Sequence, residues 1–307
     1  MIQLTRYKMN PILAPTDNWW ESKAVFNPAA ISDGGNIHIL YRAIGEDNIS
    51  RFGYAMSKDG FEIAYRSQLP VFEPDTCIEH ERLGVEDPRI VKIDDTYYIT
   101  YVAASVYPCD HPRPAFSFGA PWKTRVCIMK TKDFSTYERV SCALPDLDDK
   151  DAVLFPEKIG GRYAMLHRIF PDMWICFSDD LINWTDDQPL MGLRPGKWDA
   201  GRLGAGAPPI KTEKGWMELY HAACEDRVYR LGVVMLDLEN PTKIISRPDN
   251  PCFSHFEPYE LEGLVPNVVF ACGIVEKGGN YIIYYGGADK VVAVASVDKS
   301  QFLACCG

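Results

Sequence analysis

No stretch of the chain reaches the roughly 20 consecutive apolar residues that a membrane-spanning helix requires. Met1–Asn10 lack a basic segment followed by an apolar run and a small-residue cleavage site, so a secretion signal is not expected. The ten cysteines contain no C-x-x-C pair, which speaks against a zinc ribbon. Most sit inside apolar runs such as Val126–Met129 and Trp174–Phe177, as free buried thiols of a reducing cytosol would. The six histidines show no ligand spacing, so no metal is expected. Positive charge is also short. A formal net charge of -10 argues against a nucleic acid or an anionic membrane as partner. Helical periodicity is almost absent, which excludes a helical bundle.

The chain is instead rich in short alternating strands. Its 47% apolar and 24% charged residues are those of an ordinary folded protein. One strand motif recurs five times, as Asn36–Arg42, Thr96–Val102, Arg162–Arg168, Trp216–Ala222 and Asn280–Gly286, with starts 60, 66, 54 and 64 residues apart. A proline-bearing segment precedes each: Phe26–Ile31, Glu86–Ile90, Phe155–Ile159, Ala207–Lys211 and Val265–Val269. Turns with a hydroxyl and an aspartate follow several of them, at Ser57–Phe61, Thr131–Phe134 and Ser178–Trp184. Evenly spaced strands also fit a β-sandwich, but a sandwich does not require one order of motifs five times. The repeat therefore predicts an all-β, five-bladed β-propeller, with residues 1–307 forming a single domain.

In such a fold the innermost strands border the central axis. The proline-bearing segments are the expected inner strands, since a strand at a channel can lack one donor. They supply Asn27, Asp87, Arg89, Glu157, Lys158, Lys211 and Asn267, while neighbouring strands end near Arg42, Arg168, His221 and Asp289. Polar groups converging from every repeat are costly to bury without purpose, so a polar funnel-shaped site is expected.

At these motifs the chain resembles glycoside hydrolase family 130, whose members include mannoside phosphorylases. The resemblance runs through Asn10–Leu13, Ala24–Asn27, Leu40–Ala43, Gly84–Arg89, Asp151–Lys158, Met165–Arg168, Gly204–Lys211, Leu219–His221, Val265–Phe270 and Tyr285–Asp289. It implies the same five-bladed propeller and an inverting phosphorolysis of β-mannosides, giving α-mannose 1-phosphate and a shortened acceptor. By this resemblance Asp87 is the proton donor. Lys150, Arg168, Lys211, His221 and Tyr229 bind phosphate, and Asn27, Arg42, Arg51 and Asp289 bind the mannosyl ring. Inorganic phosphate is the co-substrate, and no cofactor is expected.

The residue types suit that chemistry. An inverting hydrolase needs an acid and a base, whereas a phosphorylase needs one acid and a cationic cradle. Arginine suits bidentate phosphate contact and lysine adds a point charge. Two other readings remain open: an inverting β-mannosidase using water, with Glu260 or Glu262 as base, and a non-catalytic glycan-binding propeller. Trp122 is a candidate for stacking on a distal sugar. The linkage is unread, and loops 44–52, 105–124 and 170–200 are expected to set it. A cytoplasmic location is expected, with an oligosaccharide as the small-molecule partner. Self-association is common in the family, so a homo-oligomer is an expectation as well.

Overall fold

Strands whose successive side chains are all apolar bury both of their faces, and that pattern organises this chain. A computed structural model describes residues 4–112, 114, 120–224, 227–304 and 306. Cys305 and the centre of loop 105–124 lie outside the described residues. After the short β1 (Thr5–Arg6), the first antiparallel unit is β2 (Ala24–Asp33), β3 (Asn36–Ile44), β4 (Ser50–Ser57) and β5 (Ile63–Arg66). The second is β6 (Gly84–Ile93), β7 (Thr96–Val106), β8 (Trp122–Thr131) and β9 (Glu138–Cys142). A single parallel bridge, Ser50 to Gly84, joins these two into one eight-stranded sheet.

The third sheet runs β10 (Asp149–Leu154), β11 (Tyr163–Ile169), β12 (Asp172–Ser178) and β13 (Trp184–Met191). The fourth contains β14 (Arg202–Ala205), β15 (Ile210–Thr212), β16 (Gly215–Ala223), β17 (Tyr229–Leu236), β18 (Ile244–Ser246) and β19 (Phe253–Ser254). Then follow α1 (Pro258–Leu261), β20 (Val269–Lys277), β21 (Asn280–Gly287), β22 (Val291–Asp298) and α2 (Lys299–Ala304). The last sheet has the order β1-β22-β21-β20, so the first strand of the chain completes it. The architecture is all-β. Among the described residues no helix is long and apolar enough to cross a membrane.

Five hydrophobic clusters lie between successive units. Val85, Ile99 and Met129 of the second unit meet Ala29, Leu40 and Phe52 of the first. Val126 and Ile128 face Leu154 and Met165. Val153 and Ile175 face Ala205 and Trp216, and Leu219 and Val233 face Ala271 and Ile283. The fifth cluster joins Ile282 and Val294 of the last unit to Ile39 and Tyr41 of the first. Alternate residues of one strand serve different clusters: Tyr281 and Ile283 point one way, Ile282 and Tyr284 the other. Each such side chain contributes about 1.5–3 kcal/mol of burial.

All five recurring strand motifs are the second strands of their units: β3, β7, β11, β16 and β21. The aspartate turns hold as well. Asp59, Asp133, Asp180 and Asp237 each accept backbone N–H groups two and three residues ahead, closing the turn after the third strand. The proline-bearing segments are less uniform. Those at Asn27 and Asp87 lie in β2 and β6, but those at Pro156, Pro208 and Pro266 flank strands rather than form them.

Strands β2, β6 and β10 share a backbone irregularity. Strand register shifts between Phe26 and Ala29, between Glu86 and Arg89, and between Lys150 and Val153. At each shift a short polar residue adopts positive φ: Asn27 at 47°, Asp87 at 51° and Asp151 at 55°. Asparagine and aspartate tolerate this region better than other side chains. A bulge re-aims its residue away from the pleat, and here three polar side chains are turned the same way.

Candidate active site

The bulged residues meet in a cleft of about 510 Å³. Asn27 donates Nδ2–H to Asp87 Oδ1 at 2.8 Å, and Arg42 Nη1 donates to the same oxygen at 3.2 Å. Arg42 Nη2 also donates to Glu86 Oε1 at 2.6 Å, and Lys150 Nζ donates to Glu86 Oε2 at 3.0 Å. Asp87 is thus fixed by a neutral amide and a guanidinium. Burial pushes its carboxyl up, but Arg42, Lys150 and Arg89, with the Asn27 bond, outweigh that and hold it below the usual carboxylate range.

Across the cleft Arg168 Nη1 lies 2.7 Å from Asp151 Oδ2. Asp151 is buried and would be expected to hold a proton. Arg168, His221 and Arg89 reverse that and keep it ionised. Arg202 Nη1 donates to the Tyr229 hydroxyl at 3.3 Å, and both line the cleft together with Arg227. Asp289, at positive φ, closes the side next to Arg42. Burial pushes its carboxyl up to about 7; Arg42 opposes the shift, and Asp87 and Glu86 add to it.

Small residues make room for these groups. A Cβ at Gly204 would stand 2.3 Å from Asp151 Oδ2, and one at Gly286 would stand 2.5 Å from Asn27 Oδ1. Both glycines fall within the resemblance motifs, where close approach by a polar side chain requires them.

Of the residues expected at the site, Asn27, Arg42, Asp87, Lys150, Arg168, Tyr229 and Asp289 line the cleft. His221 stands behind the wall, fully buried, with Nε2 3.2 Å from Asp151 Oδ2 and its ring against Phe270. Burial lowers its pKa, so the ring is a neutral donor that fixes Asp151.

Lys211 is a correction. It lies on the short outer pairing of β15, half-exposed and bonded to Glu157, and does not line the cleft. The lysine follows the Pro-Pro step, and the chain has by then left the inner strand. Arg202, at the start of β14, stands in the cleft instead. Arg51 is the second correction. Its guanidinium is taken by Asp47 and Glu73 and stacks over Trp19, so it does not line the cleft either. Glu157, Lys158 and Asn267 are likewise absent from its lining.

Arg89 was expected in the funnel but is buried beneath it. It donates to Gly206 O at 2.9 Å, Asp87 O at 3.0 Å, Ala205 O at 3.1 Å and Asp151 Oδ1 at 3.3 Å. Trp122 reaches the rim and is 40% exposed. Glu260 is fully buried and bound by Arg6 and Tyr285, and Glu262 is exposed; neither lines the cleft. Among the described residues His80, Cys127 and Cys142 bring possible metal-ligand atoms within 4.8 Å of one another, outside the cleft. They come from three separate elements, so no spacing in the sequence announces them.

Residues 12–306 match the profile of the glycoside hydrolase 130 family, described as β-1,4-mannooligosaccharide phosphorylase. The chain belongs to glycoside hydrolase family 130. Within the family it is 46% identical to the 1,2-β-oligomannan phosphorylase of Thermoanaerobacter sp. (strain X514), over 98% of this chain and 99% of that protein. It is 31% identical to the β-1,4-mannooligosaccharide phosphorylase of Ruminococcus albus, over 94% and 87%. Among solved structures, the β-1,2-mannobiose phosphorylase of Listeria innocua in complex with β-1,2-mannobiose superposes with a TM-score of 0.85 at 29% identity, covering 99% of each chain.

Proposed function

We propose that this family 130 protein is an inverting β-mannoside phosphorylase that acts on β-1,2-linked mannooligosaccharides. The observation that carries the reading is the charge of the cleft. Five basic side chains (Arg42, Lys150, Arg168, Arg202 and Arg227) and four acidic ones (Glu86, Asp87, Asp151 and Asp289) line it in a chain of net charge -10. The lining is net positive, more so when Asp289 holds a proton, as an anionic nucleophile requires. Neither Glu260 nor Glu262 is in place as the base of a water-using enzyme.

In this reading phosphate sits among Lys150, Arg168, Arg202 and Tyr229, opposite the leaving group. A phosphate oxygen attacks the anomeric carbon, and the glycosidic C–O bond breaks as the C–O bond to phosphate forms. The proton from Asp87 ends on the departing oxygen, directly or through a sugar hydroxyl. The products are α-mannose 1-phosphate and an acceptor one mannose shorter. Asn27, Arg42 and Asp289 hold the mannosyl ring. The surrounding cations hold Asp87 ionised, and bound phosphate offsets them, raising its affinity for the proton that it takes from water and then delivers.

The fold reading is a single-domain five-bladed propeller. Five successive antiparallel units and five clusters between them support it, the fifth cluster packing the last unit against the first. Cys77, Cys127, Cys142, Cys176, Cys252 and Cys272 are free thiols, which fits a reducing cytoplasm.

The β-1,2 linkage rests on the order of likeness: 46% and 39% identity to phosphorylases of β-1,2-mannosides against 31% to one of β-1,4. Supplying α-mannose 1-phosphate with a panel of acceptors tests it. A β-1,2-mannosyl product is expected, and a β-1,4 product overturns the linkage.

A further inference from the structure

Two of the three cations that face phosphate in the reading above, Lys150 and Arg168, are register partners on neighbouring strands, and one buried carboxylate holds both backbones. Asp149 Oδ1 accepts the Lys150 N–H at 2.7 Å and the Arg168 N–H at 3.0 Å. Its other oxygen lies 2.8 Å from His167 Nδ1, and His167 Nε2 lies 3.0 Å from Asp187 Oδ1. Asp149 and His167 are buried, whereas the Asp187 side chain is 27% exposed on β13. A continuous chain of hydrogen bonds thus crosses the third sheet from its outer strand to the wall of the cleft.

We propose that Asp149, oriented by His167 and Asp187, is a positioning residue that sets the phosphate cradle of this enzyme. The proposal rests on the phosphorylase reading and deepens it. A strand ladder alone does not require this arrangement. The register slips just beyond Lys150, between it and Val153, and Asp149 fixes the two N–H groups beside that slip. The charge state agrees with the geometry. Burial opposes a charge on His167, but Asp149 and Asp187 outweigh it, so both ring nitrogens donate. The Cys176 thiol, kept protonated by burial, is the other titratable group beside the ring. Because the imidazolium has a carboxylate on each side, neither carboxylate is left free to attract Lys150 or Arg168 away from phosphate.

The test measures steady-state KM for phosphate and for a β-mannoside separately, with thermal unfolding in the presence and absence of inorganic phosphate. Asp149→Ala is expected to raise phosphate KM about tenfold or more, the equivalent of one lost buried hydrogen bond, and to leave mannoside KM within about twofold. Asp149→Asn, whose amide oxygen still accepts both N–H groups, is expected to restore most of the difference. Should Asp149→Ala not fold, Asp187→Asn at the partly exposed end provides the second arm, with phosphate KM up about threefold, a smaller change as expected of a more distant bond. Folded variants with unchanged phosphate KM, or with both KM values rising together, overturn the proposal. Wild-type turnover that does not depend on phosphate defeats the phosphorylase reading instead, so the two failures are distinct.

Discussion

Asp289 carries the pH dependence at the scale of single residues. With its carboxyl held up at about 7 by burial, it is neutral below that pH and, in the proposed reading, donates an O–H to a sugar hydroxyl. Above it the carboxylate only accepts and repels Asp87 and Glu86. Mannoside KM is therefore expected to rise severalfold between about pH 6 and about pH 8, and Asp289→Asn, whose amide donates at every pH, to flatten the rise. An identical pH profile in the variant contradicts the assignment. The same group has a sign for stability. A folded pKa above the unfolded value favours the fold below the ordinary carboxylate pKa, and that contribution is lost as pH rises through about 7.

The replacement of Lys211 by Arg202 is open to an equally direct check. Arg202→Met is expected to raise phosphate KM by about tenfold or more, through loss of a charge-assisted contact. Lys211→Ala should leave it within about twofold, since the Lys211–Glu157 pair is on the surface. The opposite pattern returns Lys211 to the cradle.

Among the elements, the bulges of β2, β6 and β10 matter most, and Arg89 ties the last two to the fourth unit. Its guanidinium bonds carbonyls of the second and fourth units and a carboxylate of the third, with a side chain only 1% exposed. Arg89→Met leaves those acceptors unpaired and is expected to lower unfolding free energy by about 3–5 kcal/mol in denaturant titration. A loss below about 1 kcal/mol means that water or neighbours replace the guanidinium.

The bulges also mark where the sequence was readable. Second strands such as Tyr97–Thr100 could be aligned because alternation and aromatic content are local properties. The polar residues at Asn27 and Asp87 were found because a proline follows each. Asp151 has alanine after it, and Gly204, which follows the register partner of Ala222 in the fourth unit, has no side chain at all. The proline signal therefore slid to Phe155–Ile159 and Ala207–Lys211, and with it went Glu157, Lys158 and Lys211. Arg202 was missed because it precedes the motif rather than lying in it. The surface ion pairs of Arg51 depend on how two loops fold against each other, which no spacing encodes.

At the scale of the whole molecule, an acidic chain gathers five basic side chains around one cleft. The surrounding units supply them from separate strands: Arg42 from β3, Lys150 and Arg168 from β10 and β11, and Arg202 from β14. No single unit supplies all five of the basic side chains that line the cleft. The assembly of units is what produces the site, and this accounts for the invisibility of the cradle in any one motif. The carboxylates among these cations keep the empty cleft from becoming a general anion trap, since Glu86 and Asp151 already occupy Lys150 and Arg168.

The central claim, that phosphate rather than water takes the mannosyl group, is tested by following a β-1,2-mannooligosaccharide with and without inorganic phosphate. The account predicts turnover only when phosphate is present, with α-mannose 1-phosphate as the product. Free mannose released at the same rate in both conditions would contradict it.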